Sequence, residues 1–362
     1  MPDAAVSAVR SVVPTDLGRC DGAKSFLQSG FWGSFKARFG WNARSFLVDW
    51  VEAGKLPLLV IRRRLAPGVS FAYVPLGPEL PSRLIDAEPA RNQALLELAQ
   101  ALQKELPHDT AFIRFDPPWF TIGEGIAPPT LPGPFVRAGA DVQPPDTVII
   151  DISQDDEVIL SAMKPKWRYN IRLAEKKGVT VTRQDEAGLE TFYELYKTTA
   201  RRDKIAIHGL EYYRTLFQHS REYRDGNQDI RLYVAEHEGD ALAAIIVLFR
   251  GEEATYLYGA SSDTKRNLMA PYALQWKAMQ DARARGCIRY DLFGIPPEEN
   301  PLHPMAGLYR FKTGFGGMII HRPGSWDYAY KPLVTQAFRL AEASRKKIRS
   351  IRKAVRSLRR GQ

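Results

Sequence analysis

Short apolar runs rich in β-branched and aromatic residues occupy positions 46–51, 56–62 and 70–77. A helical pattern follows over 88–106, then a further run at 111–116. The same order returns at 230–239, 243–249 and 254–260, with a helical pattern over 271–285 and a run at 287–291. Runs of this length and composition predict strands. Three strands, a helix and a strand occurring twice predict an α/β (α+β) chain with an internal duplication. Glu52-Ala53-Gly54 and Glu238-Gly239-Asp240 predict hairpin turns. The proline-rich stretch 117–145 reads as a loop and linker between the halves, and helices are expected at 186–200 and 210–219.

The densest local pattern lies at 163–179. Met163, Trp167, Ile171 and Ala174, three and four apart, make one apolar stripe on a helix. Lys164, Lys166, Arg168, Arg172, Lys176 and Lys177 take the other faces with one acid, Glu175, and Gly178 stands where a left-handed residue ends a helix. Such a helix is either a solvated face or a surface for an anion.

Charge changes the picture at the C-terminus. The chain has a net charge of +10, and 331–362 holds eleven Lys/Arg against Glu342 alone, so the other residues are neutral in sum. Val334, Phe338, Ala341, Ile348, Ile351, Val355 and Leu358 recur among those cations at helical spacing. This predicts a basic amphipathic helix over 332–362, suited to an anionic membrane surface or nucleic acid. Packing on the body, or a coiled coil with a partner, is the alternative.

The remaining composition mostly excludes. No apolar run approaches the length of a membrane span, and positions 1–15 lack a compact apolar region, so no signal peptide is expected. Cys20 and Cys287 fit no metal or redox spacing, which makes a reducing cytoplasm the expectation. The six histidines are scattered, and neither a Walker loop nor G-x-S-x-G occurs, so no metal and no cofactor are expected. The duplicated order is the layout of N-acetyltransferase-like (GNAT-like) folds, in which a glycine-rich turn before the crossover helix holds the CoA pyrophosphate. The corresponding turn here, 261–271, has no glycine, and the first copy offers Gly77-Pro78-Glu79-Leu80-Pro81-Ser82. Neither is suited to cradle CoA.

The block M-K-x-K-x-R-Y-N-I-R-x-A-x-K-K-G-V at 163–179 resembles the signature of the FemABX family, the aminoacyl-tRNA-dependent transferases that build peptidoglycan cross-bridges. The resemblance extends over about 21–330. It implies two tandem GNAT-like domains, one at 16–148 with 318–331, the other at 149–317, and leaves 332–362 as a separate basic helix. The strand at 318–321 is placed in the first domain on this ground.

Site residues follow by the same resemblance. Phe26-Leu27-Gln28-Ser29 with Trp32 and Lys36 resembles the block whose lysine contacts precursor phosphates, which implies that role for Lys36. Asp116, in Phe115-Asp116-Pro117, would face the acceptor amine. Arg202, in Ala200-Arg201-Arg202-Asp203, would be a second phosphate ligand, with Arg201 a close competitor. Tyr258 would line the acceptor channel. Leu308-Tyr309-Arg310-Phe311-Lys312-Thr313-Gly314-Phe315-Gly316-Gly317 is the second strong match. It implies that Phe311 and Lys312 lie near the tRNA 3′ end, with Lys312 stabilising the developing negative charge. Lys164, Lys166, Arg168 and Arg172 would form a basic surface for tRNA or precursor phosphates.

An aminoacyl ester is already activated and the nucleophile is an amine, so no catalytic Ser or Cys is required. The implied reaction attaches a small amino acid from aminoacyl-tRNA to the side-chain amine of a UDP-linked or lipid-linked muramyl pentapeptide. No room exists between 210 and 230 for the coiled-coil arm of some members, so a short, monomeric type is expected, held at the inner face of the membrane by its tail. Two other readings remain: an N-acyltransferase using another donor, and a non-catalytic membrane or RNA binder.

Overall fold

The computed structural model describes residues 7–51, 53–223 and 228–344. In chain order the strands are β1 (Val9–Thr15), β2 (Asn42–Trp50), β3 (Gly54–Ala66), β4 (Val69–Val74), β5 (Thr110–Phe115), β6 (Thr121–Ile122), β7 (Val136–Arg137) and β8 (Asp146–Asp151). They continue with β9 (Thr180–Gln184), β10 (Gln228–His237), β11 (Asp240–Arg250), β12 (Glu253–Ser261), β13 (Arg289–Asp291), β14 (Met318–His321) and β15 (Trp326–Ala329). The α-helices are α1 (Gly30–Ala37), α2 (Ser82–Asp86), α3 (Glu88–Glu105), α4 (Asp156–Ala162), α5 (Pro165–Lys176), α6 (Leu189–Asp203), α7 (Leu210–Glu222), α8 (Ala270–Ala284) and α9 (Ala306–Thr313). A last helix covers 332–344 of the described residues.

Two compact units divide these elements. Of the described residues, the first takes those up to Trp119, then 129–145 and 322–344; the second takes 120–128 and 146–321. The first sheet runs β1-β2-β3-β4-β5-β15-β7. All its neighbours are antiparallel except β4 and β5, which are parallel with Val74 opposite Phe115. Both faces are covered, which is why β3 reads as an unbroken apolar run. Leu58 and Val60 join Leu95, Leu98 and Leu102 of α3 in one core, while Leu59 and Ile61 join Cys20, Phe71, Tyr73 and Phe112 in another. Truncating one of the α3 leucines to Ala would cost about 2–5 kcal/mol.

The second sheet runs β6-β14-β8-β13-β12-β11-β10-β9. It repeats the plan: β10, β11 and β12 are antiparallel, α8 crosses over, and β13 pairs parallel with β12. Both units therefore carry the GNAT-like layout, and the expected α/β tandem is the observed fold. The Glu238–Gly239 hairpin is tight, with both residues at positive φ (52° and 84°).

Three expectations need correction. Met318–His321 does not return to the first sheet; it pairs with β8 and β6 in the second, and only β15 belongs to the first. Gly317 sets that course. Its φ of +88° suits glycine, and a Cβ there would stand 2.5 Å from the Ile149 carbonyl, so the chain lies directly along β8. The boundary expected after residue 148 falls before Asp146, because all of β8 sits in the second sheet. The stretch 117–145 is more than a linker, since it supplies β6 to one sheet and β7 to the other.

The tail is also different in its first part. Val334 and Phe338 pack on the first unit's core, the Phe338 ring 5.2 Å from that of Phe112. Thr335 Oγ1 donates to the Ala111 carbonyl at 3.1 Å, and Arg339 lies 3.6 Å from Asp327. Two of the seven positions of the expected membrane-facing stripe, Val334 and Phe338, are thus internal packing, while Ala341 is exposed. Residues 345–362 lie outside the described residues.

Candidate active site

The parallel pairing of β12 with β13 lasts three residues, ending at Thr255 opposite Asp291. Beyond it β12 runs on to Ser261 while the other chain turns away, so the strands part. A bulge at Leu257 lets Tyr256 pair with Val247 and Tyr258 with Ile246. Lys312, in the last turn of α9, comes to this place. It is buried (5% exposed), and its Nζ donates to the carbonyls of Phe293 at 3.0 Å and Gly294 at 2.9 Å, 5.0 Å from the centre of the Tyr256 ring. Burial pushes the Lys312 amine down to about 7, with Asp291 opposing the shift. An amine with that value takes both protonation states near neutrality, as acid–base chemistry requires, and its cationic form can donate to an oxyanion.

Phe311 faces a different neighbourhood. Its ring packs edge-on to Tyr272 (5.2 Å) and Phe315 (5.1 Å), and its carbonyl accepts from Trp167 Nε1 at 2.9 Å. Trp167 fits because Gly314 has no side chain; a Cβ there would stand 2.1 Å from the indole Cε2. The Lys164 N–H also donates to the Gly314 carbonyl at 2.9 Å. The two motifs that carried the family resemblance are therefore packed on one another.

Helix α5 buries Asn170, Ile171 and Ala174, and Gly178 follows its end at φ +78°; Met163, expected on the same stripe, is buried ahead of the helix as the residue that caps α4. Lys164, Lys166 and Arg172 are exposed. Arg168 is not part of that open face: its Nη1 donates to the carbonyls of Ser161 (3.1 Å) and Met163 (2.5 Å), closing the C-terminal end of α4. Trp167 also touches Tyr272 (5.7 Å between rings), so α5 lies against the first turn of α8. In that turn Pro271 has no N–H and the Tyr272 N–H donates to the Met269 carbonyl, which leaves little backbone to hold a pyrophosphate.

Tyr258 belongs to a cluster of tyrosines. Its ring meets Tyr213 edge-on at 5.1 Å and Tyr196 at 6.5 Å, and its hydroxyl is paired with that of Tyr212. Burial, then Tyr212, pushes the Tyr258 hydroxyl well above its usual range, so it stays a neutral donor. Arg202, at the end of α6, has five donors and all are engaged: Nε and Nη2 with Asp203, Nη2 with Ser261 Oγ, and Nη1 with the Ser261 carbonyl and Asp263 Oδ1 (2.8 Å). It ties α6 to the end of β12, and a phosphate would have to replace an aspartate there.

The first unit carries Lys36 and Asp116. Lys36 is in the last turn of α1, 5.4 Å from the Trp32 ring centre; burial, then Arg63, lowers its amine to about 8. Asp116 follows β5 and is 5% exposed. One of its oxygens accepts from Tyr73 OH and the other from Ser325 Oγ. Burial raises its carboxyl to about 6 against the pull of those two donors. Sequence reasoning missed Tyr73, Tyr256, Asp291, Phe293 and Ser325. Only the aspartate closing the run at 287–291 offered a signal, and it read as a strand end.

The FemAB family model matches residues 130–236 and 228–343. Lipid II:glycine glycyltransferases of several Staphylococcus aureus strains are 25% identical over 249 residues, spanning 52% of this chain and 59% of theirs. The alignment thus leaves about two fifths of those relatives' length unmatched. The crystal structure of FemX superimposes with a TM-score of 0.73 at 21% identity, covering 91% of this chain and 100% of that one, which shows the shared fold. The family match extends over more than half of the sequence and takes in both packed motifs: this chain belongs to the FemAB family.

Proposed function

We propose that this protein is an aminoacyltransferase that moves an amino acid from aminoacyl-tRNA to the side-chain amine of a peptidoglycan precursor stem peptide. The observation that carries the reading is Lys312, a buried amine held on two carbonyls where β12 and β13 part. The acceptor amine attacks the ester carbonyl, forming the C–N bond and placing negative charge on the carbonyl oxygen. Cationic Lys312 donates to that oxyanion. Collapse releases the ribose oxygen, which takes up a proton, while the new amide nitrogen loses one.

The donor side is supported by two features of the second unit. The first turn of α8, where a CoA pyrophosphate would sit, is covered by Trp167 and short of free N–H groups. The exposed cations Lys164, Lys166 and Arg172 offer a surface for RNA phosphates instead. Phe311, beside them, would meet the tRNA 3′ end. In the first unit Lys36 would contact precursor phosphates, and Asp116 would receive the acceptor ammonium or its proton once Tyr73 or Ser325 gives way. Tyr258 would line the acceptor path, and Arg202 would serve a phosphate only by exchanging an aspartate partner.

The relatives named for lipid II favour a lipid-linked acceptor over a nucleotide-linked one. Among the described residues no helix is long and apolar enough to cross a membrane, so contact with such an acceptor would be peripheral. The test is transfer of labelled amino acid from charged tRNA to lipid-linked or UDP-linked muramyl pentapeptide. Label in the precursor, lost in Lys312→Ala, supports the reading; label with acyl-CoA and none with aminoacyl-tRNA contradicts it.

A further inference from the structure

We infer that Asp291 is a positioning residue for Lys312: it fixes the backbone of Phe293 and Gly294 so that their carbonyls hold the Lys312 amine in a single orientation. The catalytic meaning of this inference rests on the transfer reading above; its structural content concerns Lys312 alone. Asp291 is the last residue of β13 and is buried. Its Oδ1 accepts from Thr147 Oγ1 on β8 and from the Phe293 N–H at 2.7 Å. Phe293 has φ +56°, a left-handed backbone that a residue with a Cβ keeps only where its surroundings hold it. That turn aims two consecutive carbonyls at one point, and Lys312 Nζ occupies it.

A tetrahedral nitrogen with two N–H bonds committed has one direction left besides its own Cε. In the cation that direction carries an N–H; in the free amine it carries the lone pair. Whatever Lys312 does to a reacting group, it does along this direction, and the Asp291 turn sets it. The groups that face Lys312 are Asp291 at the end of β13 and the Tyr256 ring from β12. Asp291 thus acts twice, through the shape of the turn and through its negative charge, which favours the cation.

Substitution separates the two effects. Asp291→Asn keeps an oxygen for Thr147 and Phe293 but removes the charge. Asp291→Ala removes both, and adding Phe293→Gly supplies a residue that takes the left-handed backbone unaided. The experiment is a pH titration of full-length protein carrying 13Cε-labelled lysine, with the Lys312 resonance identified by its loss in Lys312→Met. The wild-type midpoint is expected at about 7, and Asp291→Asn should lower it. Asp291→Ala should lower kcat for transfer more than it raises KM, and Asp291→Ala with Phe293→Gly should recover part of kcat. A Lys312 13Cε signal and kcat unchanged from wild type in Asp291→Ala, or not moved back towards wild type by Phe293→Gly, overturn the inference, and the double variant decides the matter if Asp291→Ala alone does not fold; an unchanged midpoint in Asp291→Asn removes only the charge effect. A Lys312 signal displaced in Asp291→Ala and restored by Phe293→Gly, in a protein that transfers nothing, supports the inference and sinks the proposed reaction instead.

Discussion

At the scale of residues, two buried groups are displaced from their ordinary protonation in ways a pH series reads directly. Lys312 is brought down to about 7 by burial, so it is cationic below that pH and loses its charge above it. The acceptor amine gains reactivity as pH rises in any variant, so the informative quantity is a ratio. Wild-type kcat divided by that of Lys312→Arg should fall as pH rises through about 7, because the guanidinium stays charged. A ratio flat from pH 6 to 9 would remove Lys312 as a cationic stabiliser. Asp116 is raised from 3.8 to about 6 by burial. The folded protein then holds this proton more tightly than the unfolded chain, so stability is present at low pH and falls as pH rises through about 4 to 6. The shift corresponds to a loss of roughly 3 kcal/mol at most. Asp116→Asn lacks this titration, so its Tm relative to wild type should rise across that window and level off above it. Parallel Tm curves would show that Asp116 is ordinary in the folded state.

Among elements, α5 joins the two halves of the site's sequence signature, and its cations divide into two kinds. Lys164, Lys166 and Arg172 are exposed, while Arg168 closes α4. Replacing the first three with Ala should weaken tRNA binding and reduce the slope of log K against log salt by roughly 2–3, at unchanged Tm. Arg168→Ala should instead cost about 1–2 kcal/mol of stability with little change in slope. Equal slopes in the wild type and the triple variant would move the tRNA elsewhere. The elements themselves were mostly legible, because the apolar stripe of α5 and the twice-repeated strand–helix order are local patterns. Strand placement was not. Met318–His321 fits either sheet by composition, and what decides is the close approach of Gly317 to the Ile149 carbonyl. Similarly Arg202 reads as an open cation in sequence, whereas Asp263 and Ser261, about sixty residues away, occupy it. Contacts of such separation leave no periodic trace.

For the whole molecule, the described part of the basic tail belongs to the first unit's packing, and an anionic surface remains the proposed partner of the rest. Val334, Thr335 and Phe338 complete the first unit's core, while Leu333 and Leu340 are exposed at 83% and 64% on the opposite face. Removing 332–362 should therefore lower stability by roughly 3–5 kcal/mol through lost packing. Removing only 345–362 should reduce binding to vesicles of anionic lipid, since most of the tail's cations lie there. Vesicle binding unaffected by the shorter deletion would end the membrane role of the tail and leave tRNA as its remaining anionic partner.

The proposed reaction requires Lys312 to act on an aminoacyl ester. The most direct test is transfer of labelled glycine, alanine or serine from charged tRNA to lipid-linked muramyl pentapeptide, run with wild type and Lys312→Ala at matched folding. The expected result is label in the precursor and a loss of about 10²–10³ in kcat for the variant. Full activity in Lys312→Ala, or transfer from an acyl-CoA in place of the tRNA, would contradict it.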